Sequence, residues 1–158
     1  MTGTKAAPRN AAQAGEASLL LEDQLCFALY AAQRALTNRY RPLLEKFDLT
    51  YPQYLVMLVL WQHGSLPIKR LGTLLELDYG TLTPLLKRLQ AHGLIQRERQ
   101  VDDERSVLIT LTEQGSELRE RARVIPAAIG EAVGFTEKES RDAKALLEKL
   151  KANISTDD

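Results

Sequence analysis

Asp78-Tyr79-Gly80-Thr81-Leu82-Thr83-Pro84-Leu85-Leu86-Lys87-Arg88-Leu89-Gln90-Ala91-His92-Gly93, followed by the strand-like runs Leu94 to Arg99 and Val107 to Leu111, decides the fold. Asp78 has the chemistry of a helix N-cap and Gly93 that of a stop, which predicts a helix over Tyr79 to Ala91. Leu82, Leu85, Leu86 and Leu89 recur at i, i+3, i+4 and i+7 and form its inner face. At about 100° per residue the opposite face carries Gly80, Pro84, Lys87 and Arg88, flanked by Thr81 and Thr83. The two following runs are strand-like, and the polar stretch Val101-Asp102-Asp103-Glu104-Arg105-Ser106 between them is a hairpin loop.

Upstream, Gly64 and Pro67 punctuate a turn, and a short helix follows with Ile68, Leu71, Leu74 and Leu75 inward. Thr50 and Gln53 have capping-box spacing with Pro52 in the first turn. The run Tyr54 to Trp61 is apolar on every side, which predicts a helix buried all round at the centre of the fold. Before it, Leu21, Leu25, Ala28, Leu29, Ala32, Leu36 and Leu43 keep a helical period that ends near Asp48. Downstream, Thr112 caps a long helix with Leu118, Ala122, Ile125, Ile129 and Val133 on one stripe, kinked by Pro126. Thr136 and Glu139 open a final helix with Ala143, Leu146, Leu147, Leu150 and Ile154 inward. The expected fold is mainly α with a small β-hairpin wing: a winged helix-turn-helix over residues 52–112 between helices at 18–48 and 112–155, within one domain, 18–155. Met1 to Ala17 is small and polar and reads as a disordered tail without a signal peptide's apolar centre.

Composition narrows the function. The 158 residues carry 21 Lys+Arg against 21 Asp+Glu, so bulk charge gives no argument for nucleic acid. A single cysteine, Cys26, excludes an internal disulfide framework and a cysteine-rich zinc site. His63 and His92 stand far apart, so no metal or other cofactor is expected. No apolar stretch approaches the roughly 18 residues of a membrane span, and the protein reads as cytoplasmic, without a membrane partner.

Charge is nonetheless unevenly placed. From Tyr79 to Gln100, Lys87, Arg88, Arg97 and Arg99 face Glu98 alone, a local +3 in a neutral chain. A solvated helix face with scattered charges explains this as readily as a groove-reading surface does. A resemblance separates the two. Asp103-Glu104-Arg105, then Leu111-Thr112 and Gly115, resembles the D-x-R, L-T-x-x-G wing signature of the MarR family of homodimeric winged-helix transcription regulators, along residues 19 to 154. The resemblance implies a double-stranded DNA operator read by Tyr79, Thr81, Thr83, Pro84, Lys87 and Arg88, with Arg97 on the wing and Arg105 at its tip entering the minor groove. Asp103 would brace Arg105, as a carboxylate two residues away can orient a guanidinium. The terminal helices would be dimerisation helices, setting two recognition helices about 34 Å apart on a pseudo-palindromic site.

What such a regulator senses turns on Cys26. A lone cysteine on an amphipathic helix is ordinarily an inert buried thiol, and a helix beginning at Leu21 leaves Cys26 in mid-helix, away from any dipole effect. Tyr30 lies one turn along the same face, and Tyr40 and Tyr51 flank the end of that helix and the start of the next. A phenol can donate to a thiolate and stabilise it, although simple packing accounts for tyrosines equally well. The stretches Asp23 to Tyr30, Leu49 to Trp61 and Gly80 to Leu89 resemble the OhrR subgroup, repressors that sense organic hydroperoxides. That resemblance implies Cys26 as the redox sensor, supported by Tyr30 and by Tyr40 and Tyr51 of the partner subunit. It differs from subgroup members with a second, resolving cysteine, so oxidised Cys26 would react with a low-molecular-weight thiol, cyclise to a sulfenamide or over-oxidise. Tyr79 stands where the subgroup often has serine. The alternatives are a MarR-like regulator gated by a small aromatic ligand at the dimer interface with Cys26 structural, a cysteine peroxidase, which lacks a resolving thiol here, and a plain helical interaction module, which leaves the wing motif unexplained.

Overall fold

In a computed structural model the described residues are 18–99 and 107–155. The tail 1–17 and the hairpin loop, with Asp103 and Arg105, lie outside them. The chain divides into a small unit ending at Leu36 and a larger one beginning at Thr37. The elements are α1 (Leu25–Glu45), α2 (Tyr51–His63), β1 (Ser65–Pro67), α3 (Ile68–Leu75), α4 (Tyr79–Ala91), β2 (Ile95–Arg99), β3 (Val107–Leu111), α5 (Glu113–Ala122), α6 (Val124–Val133) and α7 (Glu137–Ile154). None of the described helices is long and apolar enough to cross a membrane.

Helix starts follow the capping chemistry. Thr50 and Gln53 form the capping box of α2, and Thr136 and Glu139 that of α7. Asp78 caps α4 through the Thr81 N–H at 2.8 Å. At the other end Gly93 takes φ +72°, the left-handed conformation that ends helices. Met57, Leu60, Leu71, Leu82, Leu86 and Ile109 are fully buried, so α2, α3, α4 and the sheet share one core. The prediction that α2 is buried all round holds for Val56, Met57 and Leu60, but Leu58 is exposed. Leu74 of α3 is exposed as well, while Ile68 and Leu71 face inward.

The wing carries one more strand than the sequence reading gives it. Ser65, Leu66 and Pro67 pair antiparallel with Thr110, Ile109 and Leu108, so the sheet order is β1-β3-β2. The long helix after Thr112 also breaks earlier than expected, at Arg123 rather than Pro126. The cause is the same proline: its ring opposes the carbonyl four residues back, that of Ala122, and it has no N–H to give it. The apolar stripe of α7 does not face the protomer's core. Leu146, Leu147 and Ile154 are exposed, and α7 buries no residue. The same holds for Val133 at the end of α6. Periodicity here marks a face that the described residues of the larger unit leave uncovered.

One knot fastens the wing to the helices. Thr112 Oγ1 donates to the Gly93 carbonyl at 2.6 Å and accepts from the Gly115 N–H at 3.0 Å, and Trp61 Nε1 donates to the Gly115 carbonyl at 2.8 Å. A Cβ on Gly115 would collide with the Leu94 carbonyl oxygen. Backbone on both sides cannot yield cheaply, so Gly115→Ala is expected to cost about 3 kcal/mol by overpacking. In a chain of this size that lowers the thermal midpoint by about 6–12 °C, readable by calorimetry. An unchanged midpoint would show that Leu94 and α5 separate freely.

Candidate nucleic-acid interface and redox site

α4 presents the face its period predicts. Tyr79, Gly80, Thr81, Pro84, Lys87 and Arg88 are exposed, and Thr83 is half-buried beside them. Pro84 denies the Gly80 carbonyl its i+4 donor, so another acceptor joins this face. The Thr81 hydroxyl donates to Asp78 Oδ2 at 2.7 Å and the Thr83 hydroxyl to the Tyr79 carbonyl at 2.7 Å. Asp78 is held below the usual carboxylate range, chiefly by the Thr81 hydroxyl and then by the Thr81 N–H, so it is ionised at neutral pH. On β2, Arg97 is half-buried and its Nε is buried with no hydrogen-bond partner among the described residues. A guanidinium left partly unpaired retains its capacity for an anion.

The first unit corrects the placement of Cys26. Residues Leu21–Asp23 form a separate 3-10 turn, and α1 starts only at Leu25. Gln24 is extended and its side chain donates to the Ser18 and Leu20 carbonyls at 2.6 and 3.0 Å, which closes the turn before the helix. Cys26 is therefore in the first turn of α1, not in its middle, and it is exposed. Tyr30 is also exposed, and its hydroxyl accepts from Arg34 Nη1 at 3.3 Å while the guanidinium sits 5.5 Å from the ring centroid. Arg34 escaped the sequence reading, although its i+4 spacing from Tyr30 was available as a signal.

In the larger unit Tyr40 and Tyr51 meet, with ring centroids 4.6 Å apart. Tyr54, which the sequence reading left in the core, belongs to the same group at 6.0 Å from Tyr40. Burial, and secondarily Tyr51, pushes the Tyr40 phenol above its ordinary range. Burial, then Tyr40 and Tyr51, pushes Tyr54 up to about 12. Both therefore keep their proton at any physiological pH and remain donors. Beside them a cleft of about 600 Å³ is lined by Arg41, Tyr51, Arg88 and His92 among others, and His92 pairs with Asp48 at 3.5 Å. Among the described residues no group of histidines, cysteines and carboxylates could hold a metal ion.

Comparison with known proteins agrees with this arrangement. Residues 38–121 match the family described as transcriptional regulator SarA/Rot. The organic hydroperoxide resistance transcriptional regulator of Bacillus subtilis (strain 168) is 50% identical over 136 residues, covering 86% of this chain and 90% of that protein. Reduced AbfR bound to DNA, a protein of Staphylococcus epidermidis, superposes with a TM-score of 0.74 at 36% identity, covering 85% of this chain and 94% of that one. Overoxidised AbfR bound to DNA gives a TM-score of 0.73 at the same identity and coverage. With half of the matched residues identical to the Bacillus subtilis regulator and the fold in common with AbfR, this chain belongs to the MarR-type winged-helix transcriptional regulators and, within them, to the OhrR group.

Proposed function

We propose that the chain is a cytoplasmic repressor that binds a pseudo-palindromic operator as a homodimer and leaves it when an organic hydroperoxide oxidises Cys26. The observation that carries this reading is the 50% identity, over most of both chains, to a regulator named for organic hydroperoxide resistance. The domain is 18–155, with the DNA-reading part at 52–112 and dimerisation helices at 18–48 and 112–155. Tyr79, Thr81, Thr83, Pro84, Lys87 and Arg88 face the major groove. Arg97 lies along the wing, and Arg105, braced by Asp103, enters the minor groove.

The chemistry balances with two reactants. The Cys26 thiolate attacks the distal peroxide oxygen; an S–O bond forms, the O–O bond breaks, and the alkoxide takes a proton to leave as an alcohol. A small thiol then displaces water from the sulfenic acid, leaving a mixed disulfide that adds bulk at the first turn of α1. Bulk rather than oxidation as such is the releasing event, a view supported by an overoxidised AbfR that is bound to DNA. Gel shifts test the scheme: cumene hydroperoxide with a small thiol should release the duplex, and dithiothreitol should restore binding. Retention of the duplex after both reagents would overturn it.

In the proposed homodimer Tyr40 of the partner subunit and Tyr51 of the partner subunit donate hydrogen bonds to the Cys26 thiolate, and Tyr30 lies beside them. For Tyr40→Phe and Tyr51→Phe the loss of one bond to a charged acceptor, about 1.5 kcal/mol, predicts a roughly tenfold slower oxidation of Cys26. Timed mass spectrometry reads that rate, and the reduced variants should bind DNA as wild type does. One observation favours a second reading, gating by a small aromatic acid: the cleft with Arg41, Arg88 and His92 could hold its carboxylate. Release of DNA from Cys26→Ser by salicylate would support that reading against the redox one.

A further inference from the structure

We infer that Thr81 and Thr83 each read an A·T pair in the operator, offering a lone pair to the adenine amino group and a methyl group to thymine. The inference rests on the proposed role of α4 as the groove-reading helix. Both hydroxyl protons are already committed. Thr83 gives its proton to the Tyr79 carbonyl and Thr81 to the Asp78 carboxylate, and neither acceptor has a proton to return. Turning the Thr81 hydroxyl towards a base would break a charge-assisted bond. The surroundings are acceptors too: the Asp78 carboxylate, and the Gly80 carbonyl that Pro84 cannot satisfy. Proton-bearing side chains on the outer face lie at Tyr79 and, two turns on, at Lys87 and Arg88.

The major-groove edges of the bases make this division selective. Guanine shows only the acceptors N7 and O6, so its lone pairs would meet oxygen lone pairs with no proton between them. Adenine offers its N6 amino hydrogens, and thymine adds a C5 methyl that suits a threonine methyl. Cytosine has an amino group, but it brings guanine with it and no methyl. Each threonine therefore matches A·T on two counts and G·C on one at most. The recognition helix is sorted along its length: an A·T-reading start, and a cationic end for guanine or phosphate.

A selection from a randomised 30-base-pair duplex library with the reduced full-length protein supplies the DNA. In the enriched duplex, thymines are replaced singly by deoxyuridine, which removes the methyl, and adenines by 2-aminopurine, which removes the N6 amino group. At the contacted pairs each replacement should weaken wild-type binding about 5-fold, a fraction of a good bidentate contact. Thr83→Ser, without the methyl, should lose the deoxyuridine effect at its pair. Thr83→Val, without the oxygen, should lose the 2-aminopurine effect there. The same pairing of effects is expected for Thr81. Enrichment of G·C at those pairs, or wild-type binding indifferent to every replacement, overturns the inference while leaving operator binding intact. If no duplex is enriched at all, the operator reading itself falls, and the inference with it.

Discussion

Cys26→Ser is expected to stay on its operator under cumene hydroperoxide and a small thiol, conditions under which the wild-type protein loses several-hundred-fold in affinity. A loss of about 3 to 4 kcal/mol suffices for that factor. Serine keeps the size and polarity of the side chain, and position 26 is exposed in the protomer, so the substitution should not disturb the fold. It removes the atom that forms the S–O bond and the disulfide. The thiol is accessible for both steps: the closed turn before α1 leaves it on the first helical turn, open to a reagent. Fluorescence anisotropy with a selected duplex measures the release, and mass spectrometry of the same samples reports the state of Cys26. Equal release from Cys26→Ser and wild type would remove Cys26 from the mechanism, whatever else binds.

What the sequence disclosed and what it withheld divide along the range of the interactions. Thr50 with Gln53, Asp78, Thr112, and Thr136 with Glu139 were legible because a cap and its partner lie within three residues. The same holds for the outer face of α4, fixed by helical period. The strand β1 was not legible: three residues gain their structure from Leu108, Ile109 and Thr110, more than forty positions away. The start of α1 was misplaced because the apolar period runs on through Leu21, whereas the Gln24 side chain bonds to the Ser18 and Leu20 carbonyls and separates a turn from the helix. That four-residue difference moved Cys26 from an inert position to a first turn. Hydroxyl proton commitments at Thr81 and Thr83 are set by rotamers, which no periodicity contains. For the wing tip, Asp103 and Arg105 rest on the motif alone.

A monomeric variant, Leu146→Glu with Leu147→Glu, is expected to fold normally and to bind its operator at least about 100-fold more weakly. Leu146 is 68% and Leu147 50% exposed in the protomer, so neither substitution empties a core site. Their apolar stripe continues to Ile154, which is 70% exposed, and Val124 and Phe135 are also uncovered. A patch of this kind on one chain suits an interaction surface, and in the proposed homodimer a two-fold related copy would cover it with the same residues. Four acidic groups on the two faces of such a contact would repel one another. DNA affinity should fall for a separate reason. In a dimer the second recognition helix is already poised beside its half-site, so its binding is intramolecular, at millimolar effective concentration. The salt dependence sharpens the test. The chain as a whole is neutral, and the segment from Tyr79 to Gln100 carries a local +3. A dimer brings two such segments to the phosphates and a monomer one, so the slope of log affinity against log salt should halve. Sedimentation equilibrium, far-ultraviolet circular dichroism and salt-titrated anisotropy measure the three quantities. A folded monomer with undiminished affinity and an unchanged slope would show that one neutral protomer reads the operator alone, which overturns the two-fold reading of this surface.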